Sequence, residues 1–188
     1  MNLQQIQNEI KNRLSEKRYY HSVCVMERCE ELAQKYEYDI ETAKKVGIAH
    51  DIAKELTDEE KLEYCEKNNI EIDEMERKNI SILHAKIGAH MVKKLFEFDD
   101  EMSYAIKAHT TGLPEMDMLS KILFIADRTS KERNFPDIDY LNELLEEDID
   151  KAVLYILDKK IELQLKKQAN IHINTVITRN RLLDEINK

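Results

Sequence analysis

Three glycines, two prolines and no tryptophan in 188 residues leave this chain short of the residues that punctuate strands and hairpins. An abundance of Leu, Ile, Glu, Lys and Ala takes their place, so the composition is helical and the expected fold is all-α. Cysteine is scarce too. Cys24, Cys29 and Cys65 are odd in number and form no C-x-x-C pair, which excludes a disulfide framework and a zinc knuckle and points to a reducing, cytoplasmic setting. Long apolar runs are missing as well: no stretch approaches the ~18 residues of a membrane span, and the N-terminal Met1–Ile6 segment is interrupted by polar residues. Positive charge is in deficit, since the formal net charge of -9 opposes non-specific attachment to nucleic acid or anionic membranes.

The length suits one domain with a core of its own. A single compact multi-helix bundle over 1–188 is expected, with its core at about 18–130 and C-terminal helices over 138–187 packed on it. Apolar spacing predicts a first helix through Leu3, Ile6, Ile10 and Leu14, a break at Ser15-Glu16-Lys17-Arg18, and a second helix opened by His21 with Cys24, Val25, Leu32 and Ala33 inside. A third runs from about Ile40 to Ala53, and Thr57-Asp58-Glu59-Glu60 reads as a capping box for a fourth. Asn68 to Asn79 is charged, a short helix or an exposed connection. Helices follow at about His84 to Phe96, Asp100 to Thr110 and Glu115 to Arg128, with a turn at Gly112-Leu113-Pro114 and a loop at Arg133-Asn134-Phe135-Pro136. Asp139 to Leu145, Asp148 to Gln168 and Thr175 to Ile186 complete the pattern.

Chemistry concentrates in histidines and aspartates. His50 extends the stripe Ala43, Val46, Gly47 and so points inward, with Asp51 beside it. Asp127 follows Ile122-Leu123-Phe124-Ile125-Ala126, where a buried carboxylate needs a cation, either Arg128 or Arg133 or a metal ion. His84 and His90 lie ~240° apart on a helix, so only one can face inward. His84 shares its face with Ile87, Gly88, Met91 and Leu95, whereas His90 sits among lysines as a solvated residue. His109 falls on the stripe of Met102, Ala105 and Ile106, and His21 on that of Cys24 and Val25. Each inward histidine alone reads as a satisfied core residue; four with two aspartates in one small domain are hard to bury separately, and a shared metal centre buries them together. Imidazole and carboxylate without thiolate suit iron, manganese, cobalt or zinc, and six ligands could hold two metals.

The ordered series His21, His50-Asp51, His84, His109, Asp127 resembles the H…HD…H…H…D arrangement of the HD-domain metal-dependent phosphohydrolases. Arg18-x-x-His21-Ser22, His50-Asp51-x-x-Lys54, His84-x-x-x-Gly88-Ala89, Ala105-Ile106-x-x-His109-Thr110-x-Gly112 and Lys121-Ile122-x-x-x-Ala126-Asp127 resemble its YqeK branch, the symmetrical bis(5'-nucleosyl)-tetraphosphatases. The similarity extends from about Arg18 to His172-x-x-Thr175-Val176-x-x-x-Asn180. It departs from the family's usual Glu-Pro at Ser130-Lys131, and from its usual Pro-Asp at Ile173-Asn174.

The resemblance implies an HD-domain bundle with the active site between core helices, and hydrolysis of diadenosine tetraphosphate to two ADP by a metal-activated hydroxide. It further implies one metal on His21, His50, Asp51 and Asp127 and a second on His84, His109 and bridging Asp51, both iron, with manganese, cobalt or zinc open to the same donors. Asp51 and Lys54 would be catalytic, Lys54 reading otherwise as a surface lysine. Arg18, Thr110, Arg133 and His172 would touch substrate; Arg18 reads otherwise as a surface ion pair, Thr110 and His172 as local capping or core groups. Met102, Met116 and Met118 read as core packing. The partner is a small dinucleoside polyphosphate or nucleotide, in a protein that is monomeric or a homodimer. Two other functions share these residues: an HD hydrolase of another nucleotide or alarmone, and a catalytically silent nucleotide-binding protein.

Overall fold

Among the described residues every α-helix except those over Leu83–Phe96 and Ile138–Glu147 begins under a capping polar side chain. In the computed structural model, which describes residues 1–134 and 136–188, Asn2 and Gln5 form a reciprocal capping box over α1 (Leu3–Arg13). Ser15 caps α2 (Glu16–Lys35) and Asp39 caps α3 (Ile40–Ala49), accepting from the backbone N–H groups of Arg18 and Thr42. The box expected at Thr57 and Glu60 opens α4 (Asp58–Lys67), and another at Asp73 and Glu76 opens the short α5 (Glu74–Lys78) within the charged connection. A 3-10 turn (Ile80–Ile82) leads into α6 (Leu83–Phe96). Asp99 and Asp117 cap α7 (Asp100–Ala108) and α8 (Met118–Thr129), α9 (Ile138–Glu147) follows, and Asp148 and His172 cap α10 (Ile149–Lys166) and α11 (Ile173–Ile186). Each cap is worth ~1 kcal/mol. The described residues contain no strand, so the all-α expectation holds.

Scarce glycine has a visible consequence at the other ends. Glu37, Asn69, Glu97 and Gln168 stand just beyond α2, α4, α6 and α10 with φ between 51° and 57°, the left-handed conformation that glycine takes most easily. Each costs about 1 kcal/mol. Bonds from Tyr38 N to Ala33 O, Ile70 N to Cys65 O and Ala169 N to Gln164 O satisfy the carbonyls those ends would otherwise orphan.

Several boundaries differ from the sequence reading. The expected break is shorter than Ser15 to Arg18, being confined to Leu14 and Ser15: α2 starts at Glu16, five residues before His21, because Ser15 caps it while its own N and Oγ are held by Glu55 at 2.6 Å. Asp117 delays α8 to Met118. The third helix stops at Ala49 and not Ala53, and α7 at Ala108 and not Thr110, so His50 and His109 become helix-end residues. Phe135, part of the expected second loop, lies outside the described residues.

The core forms where α3 and α8 pack on α2 and α7 packs between α6 and α8. Gly47 makes the first contact possible, since a Cβ there would lie 2.8 Å from Met26 Cα. Ile122, Leu123 and Ile125 of α8 are fully buried with Val25, Cys29 and Val46, each large side chain contributing ~1.5–3 kcal/mol. Met102 and Met116 are buried and Met118 half-buried, as core packing requires. Among the described residues no helix is long and apolar enough to cross a membrane.

Candidate metal centre

Five helices bring six expected ligands to one point. His21 comes from the body of α2, His50 and Asp51 from the end of α3, His84 from the first turn of α6, His109 from the end of α7, and Asp127 from the last turn of α8. Neighbouring rings stand 5.1–5.2 Å apart between centroids, from His21 to His50, His50 to His109 and His109 to His84. All four histidines are buried.

Their orientation is set from behind. Nδ1 of His50, His84 and His109 donates to the carbonyl three residues earlier, Gly47 O at 2.8 Å, Ser81 O at 2.6 Å and Ile106 O at 2.6 Å. His21 Nδ1 instead donates to Glu132 Oε1 at 2.5 Å. A carbonyl or carboxylate can only accept, so a proton sits on Nδ1 and Nε2 is the nitrogen turned to the centre, where its lone pair takes a metal ion or a second proton.

Those lone pairs meet carboxylate oxygens. Asp51 divides its two oxygens: Oδ2 lies 3.4 Å from His50 Nε2 and 3.8 Å from His21 Nε2, while Oδ1 lies 3.3 Å from His84 Nε2 and 3.6 Å from His109 Nε2. Asp127 Oδ1 faces the first pair, 3.1 Å from His21 Nε2 and 3.6 Å from His50 Nε2. His21, His50 and Asp127 form one compact donor group, and His50, Asp51 and His109 another. Acceptors facing acceptors need a cation between them. His50 Nε2 and Asp51 Oδ1 are buried without a hydrogen-bond partner, and the donor set is one that binds divalent metal, so the residues present fit a metal ion.

Protonation follows the same deficit. Burial disfavours charge on His50, but Asp51 and Asp127 outweigh it and push its pKa up to about 10, a proton doing what a metal would do. Burial also opposes ionisation of Asp51 and Asp127, yet the imidazoles around them hold both carboxyls well below the usual range. On the far side His109 is driven down to about 4, first by burial and then, against its bond to Asp51, by the neighbouring histidines.

Three cations crowd the cluster. Arg18 Nη1 donates to Asp51 Oδ2 at 3.0 Å, Lys54 Nζ to His84 Nε2 at 3.2 Å, and Arg133 Nη2 to Asp127 Oδ1 at 2.8 Å. Asp127 therefore has its arginine, Arg133, beside the metal-type donor group. Lys54 is no surface lysine; burial lowers its pKa while Asp51 and Asp127 resist the shift. Thr110 Oγ1 lies 3.2 Å from both His84 Nε2 and His109 Nε2.

His172 is not brought to the cluster. It caps α11, with Nδ1 accepting from Asn174 N at 3.2 Å, and stands 3.5 Å from Asp73. It lines a cavity of about 550 Å³ that also reaches Thr110 and carries Arg128, Lys160 and Lys78 in its wall. His90 stays away from the centre, as expected, but is not solvated: it is half-buried, with Tyr64 Oη 2.9 Å from its Nδ1, because α4 packs against α6 there. Leu95, expected on the inner stripe with His84, is 37% exposed, and the next residue Phe96 is the one that enters the core.

Two residues escaped the sequence reading. Glu132 had no periodic signal, being an acid in a charged loop. Lys160 had one, lying three and four residues beyond Leu157 and Ile156 on the buried stripe of α10. Its Nζ donates to Thr110 O at 2.6 Å and sits 4.7 Å over the Phe124 ring.

The HD domain family matches residues 18–132, a span that starts at Arg18, ends at Glu132 and includes all six clustered ligands. The chain belongs to the HD-domain family and is a hydrolase of that class. Within it, the chain is 33% identical to the symmetrical bis(5'-nucleosyl)-tetraphosphatase of Halalkalibacterium halodurans, over 94% of each chain. A Bacillus subtilis protein of the same name is 31% identical over 93% of this chain and 94% of its own length. The crystal structure of a predicted HD superfamily hydrolase involved in NAD metabolism from Clostridium acetobutylicum superposes with a TM-score of 0.93 at 35% identity, covering 98% of both chains.

Proposed function

We propose that this chain is a symmetrical dinucleoside tetraphosphatase that hydrolyses diadenosine tetraphosphate to two ADP, with two metal ions held by His21, His50, Asp51 and Asp127 on one side and by His84, His109 and Asp51 on the other. The observation that carries the reading is the division of Asp51, one oxygen toward each histidine pair. The names of the bacterial relatives support the substrate. Iron is the metal we favour, with manganese, cobalt and zinc compatible with the same donors. Bound metal would supply an activated water and polarise a phosphoryl oxygen.

The chain's own residues account for the rest. Arg18 and Arg133 are tethered to Asp51 and Asp127, and metal charge at those carboxylates would free both guanidinium groups to bind phosphate. Lys54 places its ammonium where negative charge develops on the phosphoryl oxygens. Thr110 joins the cluster to the neighbouring cavity, whose Lys160, Arg128 and His172 would hold the departing nucleotide. Water adds to the second phosphorus from one nucleoside and gives up a proton to solvent, the bridging P–O bond to the third phosphorus breaks, and the second ADP leaves with that electron pair.

A small-molecule substrate, a cytoplasmic setting and no nucleic-acid partner suit the net charge of -9. A homodimer would cover the exposed Leu165, Ile173 and Ile177, and sedimentation of the purified protein reads it. The deciding experiment is turnover of a dinucleoside polyphosphate panel, with metal analysis of the same sample. ADP as sole product from diadenosine tetraphosphate is expected. AMP with ATP, or free phosphate, would assign a different HD hydrolase, and tight nucleotide binding without turnover a silent binding protein.

A further inference from the structure

Three of the four clustered histidines are oriented alike and the fourth is not. His50 and His109 end their helices and His84 follows a 3-10 turn, so each finds an uncommitted carbonyl three residues back. His21 lies in the body of α2, where backbone carbonyls are committed to the helical ladder. Its Nδ1 needs a partner from elsewhere, and Glu132, on the loop after α8, reaches it at 2.5 Å. The carboxylate is itself fixed, accepting from Ser130 Oγ at 2.8 Å, and its side chain keeps only 19% exposure.

We propose that Glu132 is a positioning residue that orients His21, strengthens it as a donor, and makes the metal position of His21, His50 and Asp127 the tighter of the two. The proposal rests on the two-metal reading above. A carboxylate accepting from Nδ1–H pushes electron density onto Nε2 more strongly than a carbonyl does, and such an outer partner changes metal affinity by about 10–100-fold. Only one side of the centre has it: among the described contacts, the Nδ1 partners of His84 and His109 are backbone carbonyls. The two positions are therefore unequal even though Asp51 serves both.

Zinc titration against a competing chelator, with zinc content per chain, tests this without reference to turnover. Glu132→Ala should weaken one position about 10–100-fold and leave the other unchanged, while Glu132→Gln, which can still accept from Nδ1–H, should fall between. Adding His21→Ala to Glu132→Ala should weaken that position no further than His21→Ala alone, since the two act as one unit. Glu27→Gln, which removes the neighbouring Lys131 anchor of the same loop, should bind zinc as the parent does. In zinc-loaded protein with nitrogen-15 histidine, the His21 Nδ1–H proton should resonate downfield of the other three and move upfield in Glu132→Gln. Parental affinity at every position in Glu132→Ala, or equal weakening at all of them, would overturn the proposal while leaving the metal reading intact. A parent chain that binds no zinc, iron or manganese would overturn both; one that binds a single ion is judged by whether Glu132→Ala weakens it.

Discussion

The ring of helices α2, α3, α6, α7 and α8 and the C-terminal layer of α9 to α11 do different work at the same place. The first supplies every clustered imidazole and carboxylate, packed so that His50 Nε2 and Asp51 Oδ1 lack partners. The second supplies none of them. It braces the turn after His109 from outside: Lys160 Nζ holds Thr110 O at 2.6 Å, Thr175 Oγ1 holds Thr111 O at 2.8 Å, and Thr178 closes on Gly112, which sits at φ +73°. The difference teaches that ligation and bracing are separable here: the ring holds the donor cluster, and on the function proposed above the cavity between ring and layer would hold the departing nucleotide.

Substitutions should divide along that line. The largest effect is expected from Asp51→Ala, which removes the carboxylate facing both histidine pairs; metal content and turnover should both fall to background, and retention of either would break the comparison. Lys54→Ala comes next, lowering kcat by ~10²-fold with metal content intact, because it acts on transition-state charge and not on ligation. Lys160→Met should raise KM by about 10-fold, the loss of one charged hydrogen bond of ~1.5 kcal/mol, with metal again unchanged. Burial pushes the Lys160 pKa down to about 8, Asp127 opposing it, so this cation is lost as pH rises through that value. The kcat/KM of the parent should then fall above about pH 8, and Lys160→Met should lack that limb. His90→Ala is the smallest, costing under about 1 kcal/mol of stability through its Tyr64 partner and leaving metal and rate alone.

Much of this was legible in sequence because it depends on period and order. The apolar run before Asp127, the inward faces of His21, His84 and His109, and the Thr57–Glu60 box all follow from helical spacing, and the structure brings those four ligands together with His50 and Asp51. Helix ends were harder to read. With almost no glycine or proline, α3 and α7 stop at His50 and His109 in right-handed conformation, which leaves no compositional mark. His172 stands away from the metal cluster, with its own helix end and Asp73 as polar partners, and shares only the cavity wall with Thr110, a placement no helical period encodes. Choosing Arg133 over Arg128 as the partner of Asp127 depended on the loop after α8, whose path no periodicity encodes.

The scatter of the ligands along the chain, from His21 to Asp127 on five helices, has a kinetic consequence. A pocket assembled from such distant positions exists only once the helices have docked, so metal cannot nucleate folding and can only latch the finished molecule. Saturating metal should therefore slow unfolding in stopped-flow denaturant jumps while leaving the refolding rate the same as that measured without metal.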